Sequence, residues 1–334
     1  MSSITLPVKA NDHPNIRPLN VLRDLSAVAD LIELCFSSTM DHDGQRYLSD
    51  MRRASRDDSF LNWASHMAET ASMPLTGYVW EEDGRIVGNA SLIPFREHGK
   101  RVYLIANVAT HPDFRRRGIG RALTARAMKQ ANAKNASAIW LHVREDNPGA
   151  ITLYEGLGFQ EIARRTSWYA GGDRYLSQPD SGINIVSRYP RFWPLQQAWL
   201  RRIYPDNLSW YSSWNLNAFR PGFWNTLYLF MVDYQVKQWA AVRGDELLAT
   251  VTWMPHSGRS ESLYAAIAEG ADGEALTRLL VHVQRALSHY SSLSLDFPAG
   301  EMTDAIRMAG FIPRRTLLWM RADATIPSRK RISE

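Results

Sequence analysis

The stretch "ANVATHPDFRRRGIGRALTARAMKQA", Ala106 to Ala131, constrains this chain more than any other. A β-rich run ends at His111-Pro112, because proline cannot donate to a sheet ladder. Three arginines then meet Gly-Ile-Gly. Ile119, Leu123, Ala127 and Ala131 follow along one face of a helix. A strand handing over to a helix inside one glycine-bearing turn leaves the first helical N–H groups without intrahelical partners, at the positive end of the dipole. Glycine lets that backbone approach a ligand with no Cβ in the way. The arrangement predicts a phosphate or diphosphate site, with Arg115, Arg116, Arg117, Arg121 and Arg126 supplying charge around it. The P-loop pattern is absent, and of the three glycines of a dinucleotide fingerprint only Gly118 and Gly120 are present.

The flanking sequence predicts the sheet this turn belongs to. Leu22, Leu25, Val28, Ala29, Ile32, Cys35 and Phe36 recur at helical steps. A polar stretch, 41–58, predicts a further helix or loop. "TGYVWEEDGRIVGNASLIPF" reads as a hairpin about a Glu-Glu-Asp-Gly turn, and "KRVYLIANVAT" as the next strand. "AIWLHV" is a strand with Ile139, Leu141 and Val143 on one face and Trp140, His142 and Arg144 on the other. "NPGAITLYEGLG" is a short helix and "FQEIARRTSWYA" a closing strand. Three strands, helix, strand, helix, strand implies an α/β sheet of mixed direction, not an alternating Rossmann chain.

Length and composition set the frame. A chain of 334 residues is about right for two domains. A net charge of 39 − 34 = +5 is mild, and no apolar run reaches the ~18–20 residues of a membrane span. The polar N-terminus lacks a signal-peptide core, so a cytoplasmic protein is expected. The single cysteine, Cys35, excludes an internal disulfide and a multi-cysteine zinc site, so no metal is expected; core packing is its predicted role. "GGDRYLSQPDSG", Gly171 to Gly182, is turn-rich, and eight of the twelve tryptophans lie beyond it, from Trp193 to Trp319. This second half echoes the first. "RGDELLATVTWMP" parallels "EDGRIVGNASLIP", and "AIRMAGFIPRRTLLWM" parallels "ITLYEGLGFQEIARRTSWY". The expected organisation is a tail (1–14), a first domain (15–170), a linker (171–189), a diverged repeat (190–323) and a polar tail (324–334). The aromatic segment Tyr189 to Leu216 either lines an acceptor groove or packs as core.

Arg115-x-x-Gly118-x-Gly120 after a strand ending in His-Pro resembles the pyrophosphate motif of the GCN5-related N-acetyltransferase (GNAT) superfamily. "LHVREDNPGAITLYEGLGF" resembles that family's second signature, in the right order. The resemblance covers roughly residues 16–170. It implies the GNAT fold, a mixed, mostly antiparallel, splayed sheet flanked by helices, here as two tandem copies. Where the second copy should carry the turn it offers "AEGADGEAL", with no arginine before Gly270, which implies a degenerate second domain. The resemblance further implies acetyl-CoA as donor substrate, with pantetheine along Val108, Ala109 and Thr110. The amides of Arg116, Arg117, Gly118, Ile119, Gly120 and Arg121 hold the diphosphate, and Asn147 stands at a position that touches the ligand.

The implied activity is N-acetyl transfer to a primary amine, small-molecule or peptide. Tyr154 matches the family tyrosine that protonates the leaving thiolate; a phenol with a pKa near ~10 is protonated at neutral pH. An N–H at Val108 or a neighbour suits the oxyanion. His142 stands twelve residues before Tyr154, where some relatives carry a basic glutamate. It is either the general base or a hydrogen-bonded structural histidine. Glu145, Asp146, Glu33, Asp41 and His42 stay open as bases. Two rival readings are an inactive acyl-CoA-binding scaffold, with the second half recognising a partner, and a nucleic-acid module. The near-balanced charge and the Leu-Tyr-Glu signature speak against nucleic acid; no membrane partner is expected.

Overall fold

The computed structural model describes residues 13–40, 42–57, 75–171, 182–211, 216–222, 231, 236–254, 261–290 and 293–324. Most of the expected tails (1–12, 325–334), the linker core (172–181), part of the aromatic segment (212–215) and Asp41 lie outside them.

In chain order the elements are β1 (Ile16–Pro18), α1 (Val21–Phe36), α2 (His42–Ala54), β2 (Gly77–Glu82), β3 (Arg85–Glu97), β4 (Lys100–Thr110), α3 (Ile119–Ala133), β5 (Ala138–Arg144), α4 (Pro148–Glu155) and β6 (Gln160–Ala170). There follow β7 (Asn184–Ser187), α5 (Trp193–Ile203), β8 (Lys237–Arg243), β9 (Glu246–Met254), β10 (Glu261–Ile267), α6 (Glu274–Ala286), β11 (Leu293–Pro298), α7 (Thr303–Met308) and β12 (Phe311–Asp323). Two compact units divide them: Met1–Ile162 with Leu318–Glu334, and Ala163–Leu317. β12 therefore starts in the second unit and ends in the first.

In the first unit the strands run β1-β2-β3-β4-β5 and then the end of β12. Neighbours from β1 to β4 are antiparallel, whereas β4 and β5 are parallel. One face is covered by α3, whose Ile119, Leu123, Ala127 and Ala131 are buried against Ile139, Leu141 and Val143 of β5. This is the face that alternation in the sequence assigns to those β5 side chains. Leu318, Met320 and Ala322, from the far end of the chain, close the same core.

The other face packs α1 and α2. Val21, Leu25, Val28, Ala29 and Ile32 meet Leu48, Met51 and Val79. The Asn20 side chain caps α1 by accepting from the Leu22 N–H at 3.0 Å. Leu22 itself, expected in the apolar stripe, is 53% exposed, because Val21 takes the inward position in the first turn. Asp24 is buried; burial pushes its carboxyl up, but hydrogen bonds from Arg17, the Asn20 N–H and Arg23 outweigh this and hold it below the usual range.

The second unit orders its strands β6-β11-β10-β9-β8-β7, again with one parallel pair, β10 with β11, and with α6 packed in the core. Each unit thus buries its own apolar cluster.

Candidate active site

The turn that constrained the sequence forms a mouth at the start of α3. Arg115 to Gly118 are exposed. Arg116 (φ 64°) and Gly118 (φ 78°) both lie in the left-handed region. Gly118 takes it without a Cβ penalty; a non-glycine residue there marks a constrained backbone. Positive φ at two positions just ahead of a helix start gives a concave set of N–H donors. The first intrahelical bond runs from Ala122 N to Gly118 O at 2.9 Å, so the N–H groups of Ile119, Gly120 and Arg121 have no intrahelical acceptor. No side chain caps this helix, and its first turn carries no acidic residue. A helix start left open, uncapped and flanked by cations can receive an anion.

The arginines hold the mouth in different ways. Arg117 pairs with Glu82 at 2.9 Å and lies 5.2 Å over the Phe114 ring. That bond holds the Glu82 carboxyl below the usual range. Arg121 donates to Gly156 O at 2.9 Å, tying α3 to the end of α4. Arg115 Nε donates to Thr110 O at 3.3 Å. Arg126 lies 4.5 Å over the Tyr78 ring. Cys35, predicted as core, is half-buried: its Sγ donates to Thr110 O at 3.3 Å. Burial pushes its thiol up, against the pull of Arg115 and Thr110.

Behind the mouth the sheet opens. β4 and β5 pair only from Val102↔Ala138 to Ile105↔Leu141. Past Ile105, β4 continues through Val108, Ala109 and Thr110 on β3 alone, and β5 continues through His142 to Arg144. The β3–β4 register slips between Asn89 and Ser91, a bulge in which Asn107 and Val108 stand opposite Ala90 alone. Asn107 has φ 51°. Asn89 Nδ2 donates to Asn107 O at 2.9 Å, and Asn107 Nδ2 donates to the Tyr47 hydroxyl at 3.0 Å. Strands that part at a bulge expose peptide edges in a cleft, and the mouth lies at the end of that same β4.

Tyr154 sits on α4 in the α3-side core, 7% exposed, edge-on to Phe159 with centroids 6.1 Å apart. Burial pushes its phenol up to about 12. His142 stacks on Trp319 of β12, centroids 4.1 Å apart and planes at 45°. Asn147 caps α4, its Oδ1 accepting from Ala150 N at 3.1 Å. Of the other bases named, Asp146 is held by Arg144 at 2.7 Å, which lowers its carboxyl, and Glu33 pairs with Arg52 at 2.5 Å. Glu145 is exposed, and His42 opens α2. A cavity of about 510 Å³ elsewhere in the unit is lined by Arg17, Asp24, Glu81, Arg85 and His111, among other residues. Arg17 pairs there with Asp24 and Glu81, and Arg85 meets His111 at 2.8 Å.

Comparison with known proteins places this geometry. Residues 31–159 match the model of the Acetyltransferase (GNAT) family. The first unit has the GNAT fold, and its residues 31–159 are similar to that family. The whole chain also superposes on a GCN5-related N-acetyltransferase of Sphaerobacter thermophilus with a TM-score of 0.55 at 16% identity, covering 93% of this chain and 96% of that one. That likeness is one of fold. Over 67 residues (20% of this chain) the sequence is 40% identical to the [ribosomal protein bS18]-alanine N-acetyltransferase of Escherichia coli. Over 112 residues (30% of this chain) it is 36% identical to an N-alpha-acetyltransferase of Sulfurisphaera tokodaii. These matches span 45% and 65% of the relatives' own lengths.

Several residues of the first unit's cleft escaped the sequence reading. Asn89 and Asn107 interrupt otherwise apolar strand runs, a signal that was present in "RIVGNASLIPF" and "YLIANVAT". Tyr47 and Trp319 carry no local mark; only the packing of α2 and β12 brings them in.

Proposed function

We propose that the chain is an N-acetyltransferase that moves an acetyl group from acetyl-CoA to a primary amine, with its chemistry in the first unit. The carrying observation is the parting of β4 from β5 beside the uncapped α3 mouth. The donor set fits the ligand. Left-handed Arg116 and Gly118 and the free N–H groups of Ile119, Gly120 and Arg121 suit a diphosphate, and the β4 edge from Val108 to Thr110 suits a pantetheine amide chain. Asn147, which caps α4, is assigned to the same ligand on this reading.

The residues then divide the work. His142 takes the proton from the incoming ammonium, and the amine nitrogen bonds to the acetyl carbonyl carbon. The Val108 N–H stabilises the carbonyl oxygen as negative charge builds. When the C–S bond breaks, Tyr154 gives its phenolic proton to the departing thiolate, and the second proton shed by the acetylated nitrogen restores the phenol through solvent. Its raised pKa keeps that proton in place at neutral pH. Likeness to a [ribosomal protein bS18]-alanine N-acetyltransferase and to an N-alpha-acetyltransferase supports including peptide N-termini among the acceptors.

The second unit, on this reading, is a diverged copy that does not take acetyl-CoA. Its parallel strands also part, after Leu263↔Leu295. There the exposed edge is already filled: the Tyr204 hydroxyl accepts from Ala265 N at 3.2 Å, and Arg202 donates to Ile267 O at 3.2 Å. Arg165, 2% exposed, donates to Ile203 O at 2.7 Å and bonds the carboxylate of Asp296. The α6 start is occupied too, because Asp272 Oδ1 accepts from Glu274 N at 3.0 Å. A carboxylate there repels a diphosphate. Thiol release from acetyl-CoA against a panel of amines and peptides tests the proposal: acceptor-dependent release supports it. Binding without turnover for every acceptor would favour a scaffold instead.

A further inference from the structure

Resting on the acetyl-transfer reading, we propose that Asn89 is a positioning residue, which turns the Asn107–Val108 peptide so that the Val108 N–H serves the reacting carbonyl. Asn89 is 0% exposed on β3. Its Nδ2 donates to Asn107 O at 2.9 Å and to Ser91 Oγ at 3.3 Å. A carbonyl oxygen can only accept, so facing Asn107 O nitrogen rather than oxygen must occupy this end of the amide. The described chain has no cis peptide, so in the planar trans unit the Val108 N–H points opposite to Asn107 O, away from Asn89. One side-chain hydrogen bond therefore fixes the direction of the candidate oxyanion donor.

The fold alone does not call for an amide at this place. Among the described residues, Asn89 Oδ1 is buried with no partner. A buried unpaired acceptor is costly, and leucine, of similar volume, would avoid that cost. The bulge also has a second support. Asn107, a residue type that tolerates φ 51°, is held from α2 by the Tyr47 hydroxyl at 3.0 Å. Asn89 grips the carbonyl of the peptide, Tyr47 the side chain.

The test compares wild type with Asn89→Leu in the full chain. Calorimetry gives acetyl-CoA affinity, steady-state kinetics give kcat, and infrared spectroscopy of bound acetyl-CoA labelled with ¹³C at the acetyl carbonyl reads the hydrogen bond itself. The expected result is an affinity within about threefold of wild type, a kcat lower by about tenfold to a hundredfold, and a carbonyl stretch shifted to higher frequency as the bond weakens. An unchanged stretch with kcat within about twofold would overturn the proposal. Should Asn89→Leu fail to fold, Asn89→Val, smaller and strand-favouring, supplies the same test: it also lacks the donor to Asn107 O, so the same loss of kcat and the same shift of the carbonyl stretch are expected. Wild-type kcat and an unchanged stretch in Asn89→Val would overturn the proposal. Wild type that neither binds nor turns over acetyl-CoA would instead bring down the underlying reading, a result visible before any variant is made.

Discussion

His142 and Trp319 lie in ring contact, centroids 4.1 Å apart, although 177 residues separate them in sequence (319 − 142). The candidate base in the first unit is thus packed by the end of β12. Trp319 is 4% exposed, and its neighbours Leu318, Met320 and Ala322 sit in the same core as Tyr154. A fragment ending at residue 170 would expose that core. It should fail to show a cooperative thermal transition, while Trp319→Ala in the full chain should cost about 3–5 kcal/mol in denaturant unfolding. A fragment that melts cooperatively at the full-length temperature would show that β12 is dispensable.

Tyr154→Phe removes one hydroxyl from a site that is otherwise apolar. Acetyl-CoA affinity should hold within about twofold, and kcat should fall by about tenfold or more, since general acids contribute factors of this size and above. Calorimetry and thiol-release kinetics on the same preparation check both halves. A kcat that stays within a few-fold removes Tyr154 from the acid role.

The alkaline limb of the pH profile follows from burial. A phenol ionises near ~10 in an unfolded chain, whereas Tyr154 and Tyr47 are pushed up to about 12 by desolvation, and Tyr204 is raised further. Between these values the unfolded state has lost protons that the folded state keeps, so stability should fall as pH rises from about 10 towards 12. Tyrosinate absorbance at high pH should show this late-titrating group, reduced by one in Tyr154→Phe. No loss of kcat from deprotonated Tyr154 is expected below about pH 11. A late group unchanged by the substitution would contradict the burial of Tyr154.

Occupied donors in the second unit predict a stoichiometry. Titration with acetyl-CoA should give one site per chain, not two, and Asp272→Asn, which removes the carboxylate at α6, should leave it at one because Tyr204 and Arg165 still fill the parted strands. Two equivalent sites in wild type would refute the assignment of that unit.

How much of this was legible in the sequence differs by the range of the forces involved. The α3 mouth was, because proline, glycine and a 3.6-residue stripe are local signals. The β5 facing was too, since Ile139, Leu141 and Val143 do lie in the α3-side core. Leu22 was misplaced because periodicity does not say where in the first turn a helix meets its neighbour. The bulge was hidden: a register slip depends on what β3 presents to β4, and only the two buried asparagines hinted at it. Trp319 was invisible for the same reason at longer range, as no pattern near β12 says which core its last residues join.

The central claim is that the α3 mouth grips the diphosphate of coenzyme A, and paired calorimetric titrations with acetyl-CoA and S-acetyl-pantetheine, which lacks the diphosphate, test it most directly. Each charge-assisted bond at the mouth is worth about 1.5–3 kcal/mol, so acetyl-CoA should bind wild type about a hundredfold or more tighter than the truncated thioester. Gly118→Val, which cannot hold φ 78°, should erase most of that difference. Equal affinities for the two thioesters, or a Gly118→Val chain that still discriminates between them as wild type does, would contradict the account.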